Sequence, residues 1–588
     1  MIMKYFSYFC GNKHIVNLSI MNKLIKATCL SLVCISWLDM SATDEWVLQG
    51  NKFKVDTLYH ATVGPGTTET ELRLTGTVGG QPKVHNVFYM VTELANPYVE
   101  MRAAKGGNCM RTLETVPDIA ARMSKPGEKY FAGVNADFFN MSYPFNSIGA
   151  CIADGFMTNE LTANADIWSY YIAFDDKKVP HLSRTATLAS TGNVCFPDGT
   201  NYQLRVNSYR DTDYLVLYTP QWQFYNQYTH TMHDAGYTGQ NQYGAEVRVR
   251  PVDSKTLYGG NIKLEVIETP VMYKLGIKIP DDGYVLSGHG NAVNLIQSLK
   301  VGDVVIAGMG IKIDDKSMPV KELIGGFPRI LTDETVLPTN NGIDHLANPE
   351  PRTAVGYNAD KSKLYTLVVD GRKAGGSDGV TQVVLGDIMH HVGCTDAMNF
   401  DGGGSSTMFI DGLGVRNTPS VSSLDNRKEG EPRVVVNALF AVAVAPVDNV
   451  VASIEIREKH IDLNTGESFT PVVYGYNQYG VMVSTDLAGC SFHIPSEVAT
   501  VSGQTLTATA EKGCTTLLKA EYNGATYSIP VNVNGGGEFV AGISDVTADE
   551  NDSRAEYYML NGVRVASPVK NAVTVTRQGS NVSKVIQR

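Results

Sequence analysis

Short runs of β-branched and aromatic residues alternate with Gly, Asn and Asp from residue 45 to about 445, and this alternation limits the fold more than any other feature. Examples of the runs are "HNVFYMVTEL", "LVLYTP", "AEVRVRPV" and "KLYTLVVDG". Such runs between turn residues are typical of strands. Helical periodicity is confined to two segments, Arg111–Lys125 and Thr381–Gly393. The pattern therefore predicts an α+β fold, a mixed and strand-rich domain with a few helices packed on its faces.

The chain is too long for a single hydrophobic core, because cores seldom grow beyond about 250–300 residues. Its character changes at "VAVAPVDNVVASIEI", and about seven short alternating strands are predicted between Val450 and Val533. We therefore expect a main domain over residues 43–445 and an all-β, Ig-like sandwich over residues 446–535. The stretch "NGGGEF" predicts a flexible linker, and residues 536–588 are expected to form that linker and a tail with a small hairpin at "LNG".

The N-terminal segment has the pattern of a secretory signal peptide. Lys23 and Lys26 precede a short apolar stretch, and small residues follow at Ser41 and Ala42. The apolar stretch is too short to span a bilayer comfortably, so no membrane span is expected. We interpret residues 1–42 as a signal peptide, with Met21 as an alternative start. The predicted location is outside the cytoplasm: periplasmic, on the cell surface or secreted.

Charge and cysteine content exclude several classes of function. The formal net charge is −11 and no basic stripe interrupts it, which argues against a nucleic-acid partner or an anionic membrane surface. No Cys-x-x-Cys pair is present, and the histidines lack spaced partners, so no metal ligands are predicted. No cofactor is required, although Asp-rich loops such as "PDDG" could hold calcium without EF-hand spacing. Cys490 and Cys514 form either a disulfide or two buried free thiols.

The stretch "NFDGGGSSTMFIDG", Asn399–Gly412, is the most distinctive local motif. Three glycines without Cβ atoms let backbone N–H groups approach an anion or a sugar oxygen, and Ser405, Ser406 and Thr407 add hydroxyl donors. Taken alone, a glycine-rich corner between two strands is the better interpretation. A nucleophile elbow would need Gly after the Ser, and a P-loop would need Lys before it, so both are excluded.

Two other segments carry groups that suit the same chemistry. Arg352 and Thr353 open a predicted strand pair that closes on Asp370 and Arg372, and guanidinium forks suit phosphate or carboxylate. Upstream, Asn135, Asp137 and Asn140 follow an apolar strand beside Phe138 and Phe139. Each has an ordinary structural alternative: a solvated surface Arg, an Asp in a turn or cap, and a Phe pair in the core.

These segments together resemble a known family. "GVNADFF", "GGFPRIL", "PRTAVGY", "LYTLVVDGR", "NFDGGGSSTMFIDG" and "RVVVNALF" occur in the order and spacing of the phosphodiester glycosidase domain family, which includes the lysosomal uncovering enzyme. The resemblance covers roughly Asn86–Val444 and is strongest from Gly325 onward. It implies hydrolysis of a sugar-1-phosphodiester that frees the sugar, N-acetylglucosamine being one candidate, from a phosphate ester of a glycan or cell-surface polymer.

The resemblance and the residue chemistry together give a set of candidate site residues. A leaving phosphate needs cations and hydrogen-bond donors, and a carboxylate must serve water or the anomeric carbon. Whether that carboxylate is Asp401 or Asp137 stays open, and Asp370 ranks third. The catalytic candidates are Asp401, Asp137, Arg352 and Asp370. The substrate-binding candidates are Asn135, Phe139, Thr353, Arg372, Asn399, Gly402, Gly403, Gly404, Ser405, Ser406, Thr407 and Asn437.

Two further functions stay open at this point. The chain could be a non-catalytic glycan-binding or adhesive surface protein on the same scaffold, or a different exopolysaccharide glycosidase. The segment around Trp222 has many aromatic residues that could stack on sugars, although core packing is the better interpretation for most of them. The Ig-like module and the tail resemble accessory and sorting-type parts of secreted bacterial proteins. The oligomeric state is not predicted.

Overall fold

The structure is a computed structural model of the 588-residue chain. It divides into two compact units, one of Glu45–Ala541 and one of Met1–Asp44 with Gly542–Arg588. The predicted signal peptide and most of the predicted linker lie outside the described residues. The described residues are 44–142, 145–149, 151–159, 170–184, 192–223, 225–226, 231–232, 238, 244–253, 260–272, 276–309, 312–313, 316–317, 319–338, 347–422, 424–535, 556–559, 564–565, 573–578 and 581–586.

Strands dominate the described residues, as the alternation predicts. Up to residue 184 they are β1 (Asp44–Leu48), β2 (Asn51–Gly64), β3 (Thr67–Val78), β4 (Gln81–Glu93), β5 (Val99–Lys105), β6 (Lys129–Asn135), β7 (Cys151–Ala153), β8 (Phe156–Asn159), β9 (Tyr170–Asp175) and β10 (Pro180–Arg184). The next group is β11 (Gly192–Cys195), β12 (Asn201–Val206), β13 (Leu215–Tyr218), β14 (Tyr225–Asn226), β15 (Thr231–Met232), β16 (Ala245–Pro251), β17 (Ile262–Val266), β18 (Val271–Met272), β19 (Tyr284–Gly288) and β20 (Val304–Met309).

The remaining strands complete the main domain and form the C-terminal part. Up to residue 443 they are β21 (Lys312–Ile313), β22 (Lys316–Ser317), β23 (Val320–Gly326), β24 (Arg329–Thr332), β25 (Thr335–Val336), β26 (Arg352–Tyr357), β27 (Lys363–Val369), β28 (Asp396–Asn399), β29 (Met408–Ile410), β30 (Gly414–Val415) and β31 (Asn437–Ala443). Beyond it are β32 (Ser453–Ile456), β33 (Ile461–Asn464), β34 (Ser468–Phe469), β35 (Val473–Tyr476), β36 (Met482–Ser484), β37 (Ser491–His493), β38 (Ala499–Ser502), β39 (Thr505–Ala508), β40 (Cys514–Tyr522), β41 (Ala525–Asn534), β42 (Glu556–Met559), β43 (Arg564–Val565), β44 (Val573–Gln578) and β45 (Asn581–Ile586).

Both predicted helices are confirmed. Helix α1 is Val116–Met123 and begins after Thr115, whose hydroxyl accepts the Asp118 N–H at 3.3 Å. A shorter helix, α2, is Ala292–Gln297. Helix α3 is Gln382–His391 and is capped by Thr381. Short 3-10 turns occupy Gly106–Asn108, Ala374–Gly376 and Gly403–Ser405.

The main domain is layered. Sheet A has the strand order β1-β2-β3-β4-β27-β26-β28-β24-β25, sheet B has β30-β29-β6-β31-β5, and sheet C has β10-β9-β23-β7-β8. Helix α3 covers one face of sheet A, where Leu385, Ile388 and Met389 join its core. The other face of sheet A packs on sheets B and C around residues such as Phe131 and Phe400. Helix α1 closes the far face of sheet B. The α+β prediction is therefore confirmed, with helices on the faces of sheets.

The middle of the chain forms a closed barrel that the sequence did not predict. Its strands follow the order β17-β20-β11-β12-β13-β19-β16-β18, and an added β17–β16 pairing closes the ring. Leu204, Leu264 and Val305 belong to its buried interior. Trp222 is 1% exposed and packs on Tyr218 with ring centroids 5.1 Å apart, so its interpretation as core is confirmed.

The C-terminal part of the first unit is built entirely from strands. β32 to β41 form three small sheets around one shared core that contains Ile454, Leu506 and Val531. This confirms an all-β segment, while its Ig-like character stays a prediction. Cys490 and Cys514 are both free thiols, so the disulfide alternative is wrong here. In the second unit β42–β45 form a sheet of order β43-β42-β44-β45, and the "LNG" turn lies outside the described residues.

No helix within the described part of the chain combines enough length and apolar character to span a bilayer. The described residues also contain no group of three or more His, Cys, Asp or Glu side chains placed to hold a metal ion.

A buried polar contact joins the C-terminal sheets to the main domain. The Tyr476 hydroxyl lies 2.7 Å from the Thr62 carbonyl oxygen and 3.2 Å from Glu455 Oε2, and that carboxylate accepts the Thr62 N–H at 3.1 Å. Tyr59 and Tyr474 pack beside them in the same apolar cluster. These bonds fix the edge of β2 to β32 and β35.

We predict that Tyr476→Phe lowers the free energy of unfolding by about 1 kcal/mol, because it removes one net buried hydrogen bond. Denaturant unfolding followed by fluorescence measures the change. The matched control is Tyr522→Phe, since the Tyr522 hydroxyl has no hydrogen-bond partner among the described residues. Equal effects of the two variants would contradict the role of this contact.

Candidate active site

Strand ends that carry the candidate residues meet at one edge of sheets A and B. In sheet A the start of β26 lies beside the ends of two strands, with Arg352 opposite Val369 of β27 and Ala354 opposite Asn399 of β28. In sheet B the start of β31 pairs with the ends of β5 and β6 in the same way. Because these sheets pack face to face, polar residues at the strand ends lie close together.

The triple-glycine segment is the crossover between the two sheets. It leaves sheet A at Asn399, the end of β28, and enters sheet B at Met408, the start of β29. A Cβ atom on Gly402 would lie 2.7 Å from the Pro351 carbonyl oxygen, and one on Gly404 would lie 3.3 Å from Arg433 Nη1. The backbone at Gly402 therefore passes too close to its neighbour for a larger residue, and the contact at Gly404 is tight.

Gly403 has a second reason to be glycine, because its φ of +61° lies in the left-handed region. Its N–H donates to the Pro351 carbonyl at 2.9 Å, and the N–H groups of Ser405 and Ser406 turn back to the carbonyls of Gly402 and Gly403. These three N–H groups are therefore used within the protein. This corrects the expectation that the Gly403 amide faces a ligand.

Asn135, at the end of β6, holds the crossover in place. Its Nδ2 donates to the Asp401 carbonyl at 2.7 Å, and its Oδ1 accepts from the Thr353 hydroxyl at 2.8 Å and the Thr407 N–H at 3.0 Å. Asn135, Thr353 and Thr407 are fully buried. One side chain thus binds both sheets and the loop between them.

Asp137 lies two residues further on and is 3% exposed. Its Oδ2 accepts the Ser147 hydroxyl and, at 2.8 Å, the Gly149 N–H, while its own N–H donates to Asn437 Oδ1 at 2.8 Å. Asp137 Oδ1 has no hydrogen bond among the described residues. Burial raises the pKa of this carboxyl to about 7, and the negative charge of Asp401 contributes to the rise.

Asp401 is held by an arginine that sequence reasoning missed. Its Oδ2 accepts the Ser405 hydroxyl at 2.5 Å and lies 3.4 Å from Arg433 Nη2, which also contacts Ser405 Oγ. Arg433 is 7% exposed, and its guanidinium carbon lies 5.7 Å from the centre of the Phe139 ring. Burial lowers the pKa of Arg433. This arginine is the first residue of the motif "RVVVNALF". A charged residue directly before an apolar run was therefore the sequence signal that could have identified it.

Arg352 and Arg372 lie on the other side of the loop. Arg352 is 3% exposed and donates from Nε to the Val380 carbonyl at 3.2 Å and from Nη2 to the Asn348 carbonyl at 3.0 Å. Burial lowers the pKa of Arg352 to about 10, while the charges of Glu350 and Asp401 act in the opposite direction. Arg372 is about half exposed and donates to Glu350 at 2.6 Å.

Asp370 is placed behind the loop. Its carboxylate accepts from Asn417 Nδ2 at 3.0 Å and from the Thr418 N–H at 3.0 Å. Asn417 in turn donates to the Ser406 carbonyl at 3.0 Å. Burial raises the pKa of Asp370 to about 7. Through these contacts Asp370 supports the crossover, and its catalytic role stays a prediction.

The other candidate residues surround the same crossover and are buried. Asn399 donates from Nδ2 to the Phe327 carbonyl at 2.7 Å, and Asn437 donates to Ser147 at 3.5 Å. The side-chain oxygens of Ser406 and Thr407 have no hydrogen-bond partner among the described residues. The structure therefore brings Asn135, Asp137, Asp401, Arg352 and Arg433 to one loop.

Comparison with known families agrees with this arrangement. Residues 258–442 match the phosphodiester glycosidase family. That segment contains Arg352, the crossover and Arg433.

Residues 258–442 are therefore similar to a phosphodiester glycosidase domain.

Three solved structures resemble the chain in part. A hypothetical protein from Synechocystis is 16% identical over 64% of this chain, which spans 62% of that protein's length, with a TM-score of 0.42. A protein from Burkholderia pseudomallei is 17% identical over 68% of this chain and 99% of its own, with a TM-score of 0.44. The third is the catalytic domain of zebrafish N-acetylglucosamine-1-phosphodiester α-N-acetylglucosaminidase, auto-inhibited by its pro-peptide. It is 13% identical, the match covers 67% of this chain and 88% of that domain, and the TM-score is 0.34. The search of curated proteins finds no match.

The phosphodiester glycosidase segment does not include every residue of the cluster. Asn135 ends β6 and Asp137 lies two residues after it, so both precede residue 258 and reach the crossover only through the packing of sheets A and B. The Asp401 N–H donates to the Ala136 carbonyl at 2.7 Å, so the two carboxylate-bearing segments are joined directly.

We predict that Asn135→Ala lowers the free energy of unfolding by about 2–4 kcal/mol, because two buried donors lose their acceptor. Hydrogen exchange at the Thr407 amide should also become faster, since that N–H donates to Asn135. Denaturant unfolding and exchange mass spectrometry measure both effects. Asn193→Ala is the control, because Asn193 makes an exposed side-chain bond to Asn201. Unchanged protection of the loop would contradict the assignment.

Proposed function

We propose that the phosphodiester glycosidase domain hydrolyses sugar-1-phosphodiesters and releases the free sugar, N-acetylglucosamine being one candidate. The observation that carries this proposal is a pair of carboxylates on two joined segments, the buried Asp137 after β6 and the partly buried Asp401 in the crossover. Asp137 has one oxygen held by Ser147 and Gly149 and the other without a described bond, and Asp401 is clamped by Arg433. Two differently held carboxylates are the arrangement that glycoside hydrolysis uses.

Asp137 is the proposed acid–base residue. Its pKa of about 7 suits proton transfer near neutral pH, because a base works best when its pKa is close to the working pH. In the proposed step water attacks the anomeric carbon, and the bond from that carbon to the phosphate oxygen breaks. The proton of the water passes to Asp137 Oδ1, and the electron pair leaves with the phosphate monoester.

Arg433 and Arg352 are the proposed cations for the phosphate. The leaving group gains a second negative charge, and a buried guanidinium stabilises that charge more strongly than an exposed one. Arg372, half exposed at the same loop, would extend this positive region toward the aglycone. In this proposal Asp401 orients Arg433 through the contacts at its Oδ2 and binds the sugar. Because phosphate leaves readily, a protonated general acid is less necessary.

The remaining parts of the chain fit an exported enzyme. We propose that residues 1–42 direct export and that residues 446–535 form an Ig-like accessory module. Residues 536–588 would then be a linker and sorting-type tail. The acidic composition, with a formal net charge of −11, supports a carbohydrate partner over a nucleic acid.

We predict that protein lacking residues 1–42 releases sugar from an aryl ester of N-acetylglucosamine-1-phosphate. Asp137→Asn, Asp401→Asn and Arg433→Met should each lower kcat/KM by about 100-fold or more, the usual effect of removing a positioned catalytic or charge-stabilising group. A coupled assay for free sugar measures the rates. Asp360→Asn is the control, because Asp360 sits in an exposed turn and bonds only locally to Ser362.

Full activity in all three variants would contradict the site assignment. No turnover on a panel of sugar-1-phosphodiesters, together with binding of the same glycans, would favour the non-catalytic glycan-binding function.

We predict that kcat/KM rises with pH through about 7, because Asp137 must be ionised to accept a proton and burial holds its pKa near that value. Below this pH the protonated carboxyl cannot act as a base, so the rate falls. Initial rates between pH 5 and 9 measure the profile. The Asp137→Asn variant should lack this rise of kcat/KM with pH. If the rise persists in the variant, another group causes it.

A further inference from the structure

A lysine with no hydrogen-bond partner is buried beside the proposed base. Lys105 ends β5, is 1% exposed, and its Nζ has no hydrogen-bond partner among the described residues. Its carbonyl accepts from Arg122 at 2.7 Å, which fixes the backbone but gives the ammonium no hydrogen bond. Burying an ammonium group without a partner costs free energy. An electrostatic interaction is therefore needed to offset that cost.

Strand register directs this lysine toward Asp137. Lys105 is directly opposite Asn437 in the antiparallel β5–β31 pair, so the two side chains lie on the same face of sheet B. The Asn437 side chain accepts the Asp137 N–H at 2.8 Å and donates to Ser147 at 3.5 Å. Ser147 also bonds the Asp137 carboxylate. Lys105 therefore stands beside the network that holds this carboxylate.

The charged and titratable groups around this pair come from several elements. Asp137, Cys151, Cys109 and Arg111 act electrostatically on Lys105, and Asp401 acts on Asp137. Of these, Asp137 and Asp401 carry the nearby negative charge. Lys105 and Asp137 are outside ion-pair distance of each other in the described structure, so their coupling acts through space.

We propose that Lys105 is a positioning residue that keeps Asp137 ionised in the buried site. This inference rests on the proposed function, in which Asp137 accepts the proton of water. A nearby cation favours the ionised form of Asp137. It offsets part of the free-energy cost of desolvating this carboxylate and part of the repulsion from Asp401. Burial lowers the pKa of Lys105, whereas the charge of Asp137 acts in the opposite direction, so each charge of the pair favours the ionised form of the other.

The first test is a pH profile. Lys105→Met keeps a similar volume and removes the charge, and it should move the acidic limb of kcat/KM upward by about 1 pH unit or more. Lys105→Arg should restore part of the shift. Lys178→Met is the matched control, because Lys178 donates to the Val99 carbonyl at the opposite end of the same strand. An unmoved limb in Lys105→Met would overturn the proposal and leave the proposed function standing.

The second test does not use activity. Unfolding midpoints are measured for Lys105→Met, Asp137→Asn and the double variant. If the charges are coupled, the double variant loses less than the sum of the two single losses. Additive losses would overturn the pairing even if the protein hydrolyses nothing. If Lys105→Met fails to fold but the double variant folds, the pairing is supported; if Asp137→Asn folds but the double variant does not, the pairing is overturned, because removing the partner charge fails to rescue the lysine change.

Discussion

The buried side chain of Asn135 is the contact on which the rest of the site depends. It joins β6 of sheet B, Thr353 of sheet A and the crossover at Asp401 and Thr407 through three hydrogen bonds. A buried amide bonded through both its oxygen and its nitrogen is rigid, since losing any of these bonds leaves an unpaired polar group. The position of Asp401 relative to Asp137 therefore follows from the packing of two sheets, and the loop itself needs little intrinsic stiffness.

The glycines of the crossover are explained by that packing. Gly402 and Gly404 pass close to Pro351 and Arg433, and Gly403 takes a left-handed φ. Their absent side chains let the backbone lie against an arginine. Exposing N–H groups to a ligand is a smaller part of their role, because the Gly403 N–H is already bonded to Pro351. The triple glycine thus mainly allows the backbone to pack closely. The side chains that follow it carry the groups for ligand chemistry.

Much of the fold and part of the site could be predicted from local patterns. Thr115 and Thr381 cap the two predicted helices, and strands occupy the four predicted apolar runs. What could not be predicted depends on pairing between distant segments. The barrel closes only through the β16–β17 contact, and Arg433 becomes a site residue only because β31 lies beside β6. A sequence shows a charge, but the partners that bury it are set by the tertiary fold.

Burial links the structure of this site to its chemistry. The layers that exclude water from Asp137 raise its pKa toward neutrality, and the same exclusion strengthens its interaction with every charge nearby. Among the described groups that act on Asp137, Asp401 is the only other carboxylate, and its charge opposes ionisation of Asp137. A nearby cation is therefore needed if Asp137 is to be ionised near neutral pH. Arg433 is bonded to Asp401, and the cation that acts on Asp137 is on a different segment. The end of β5 supplies it, which gives Lys105 a physical reason to be charged in a place where an apolar side chain would pack at lower cost.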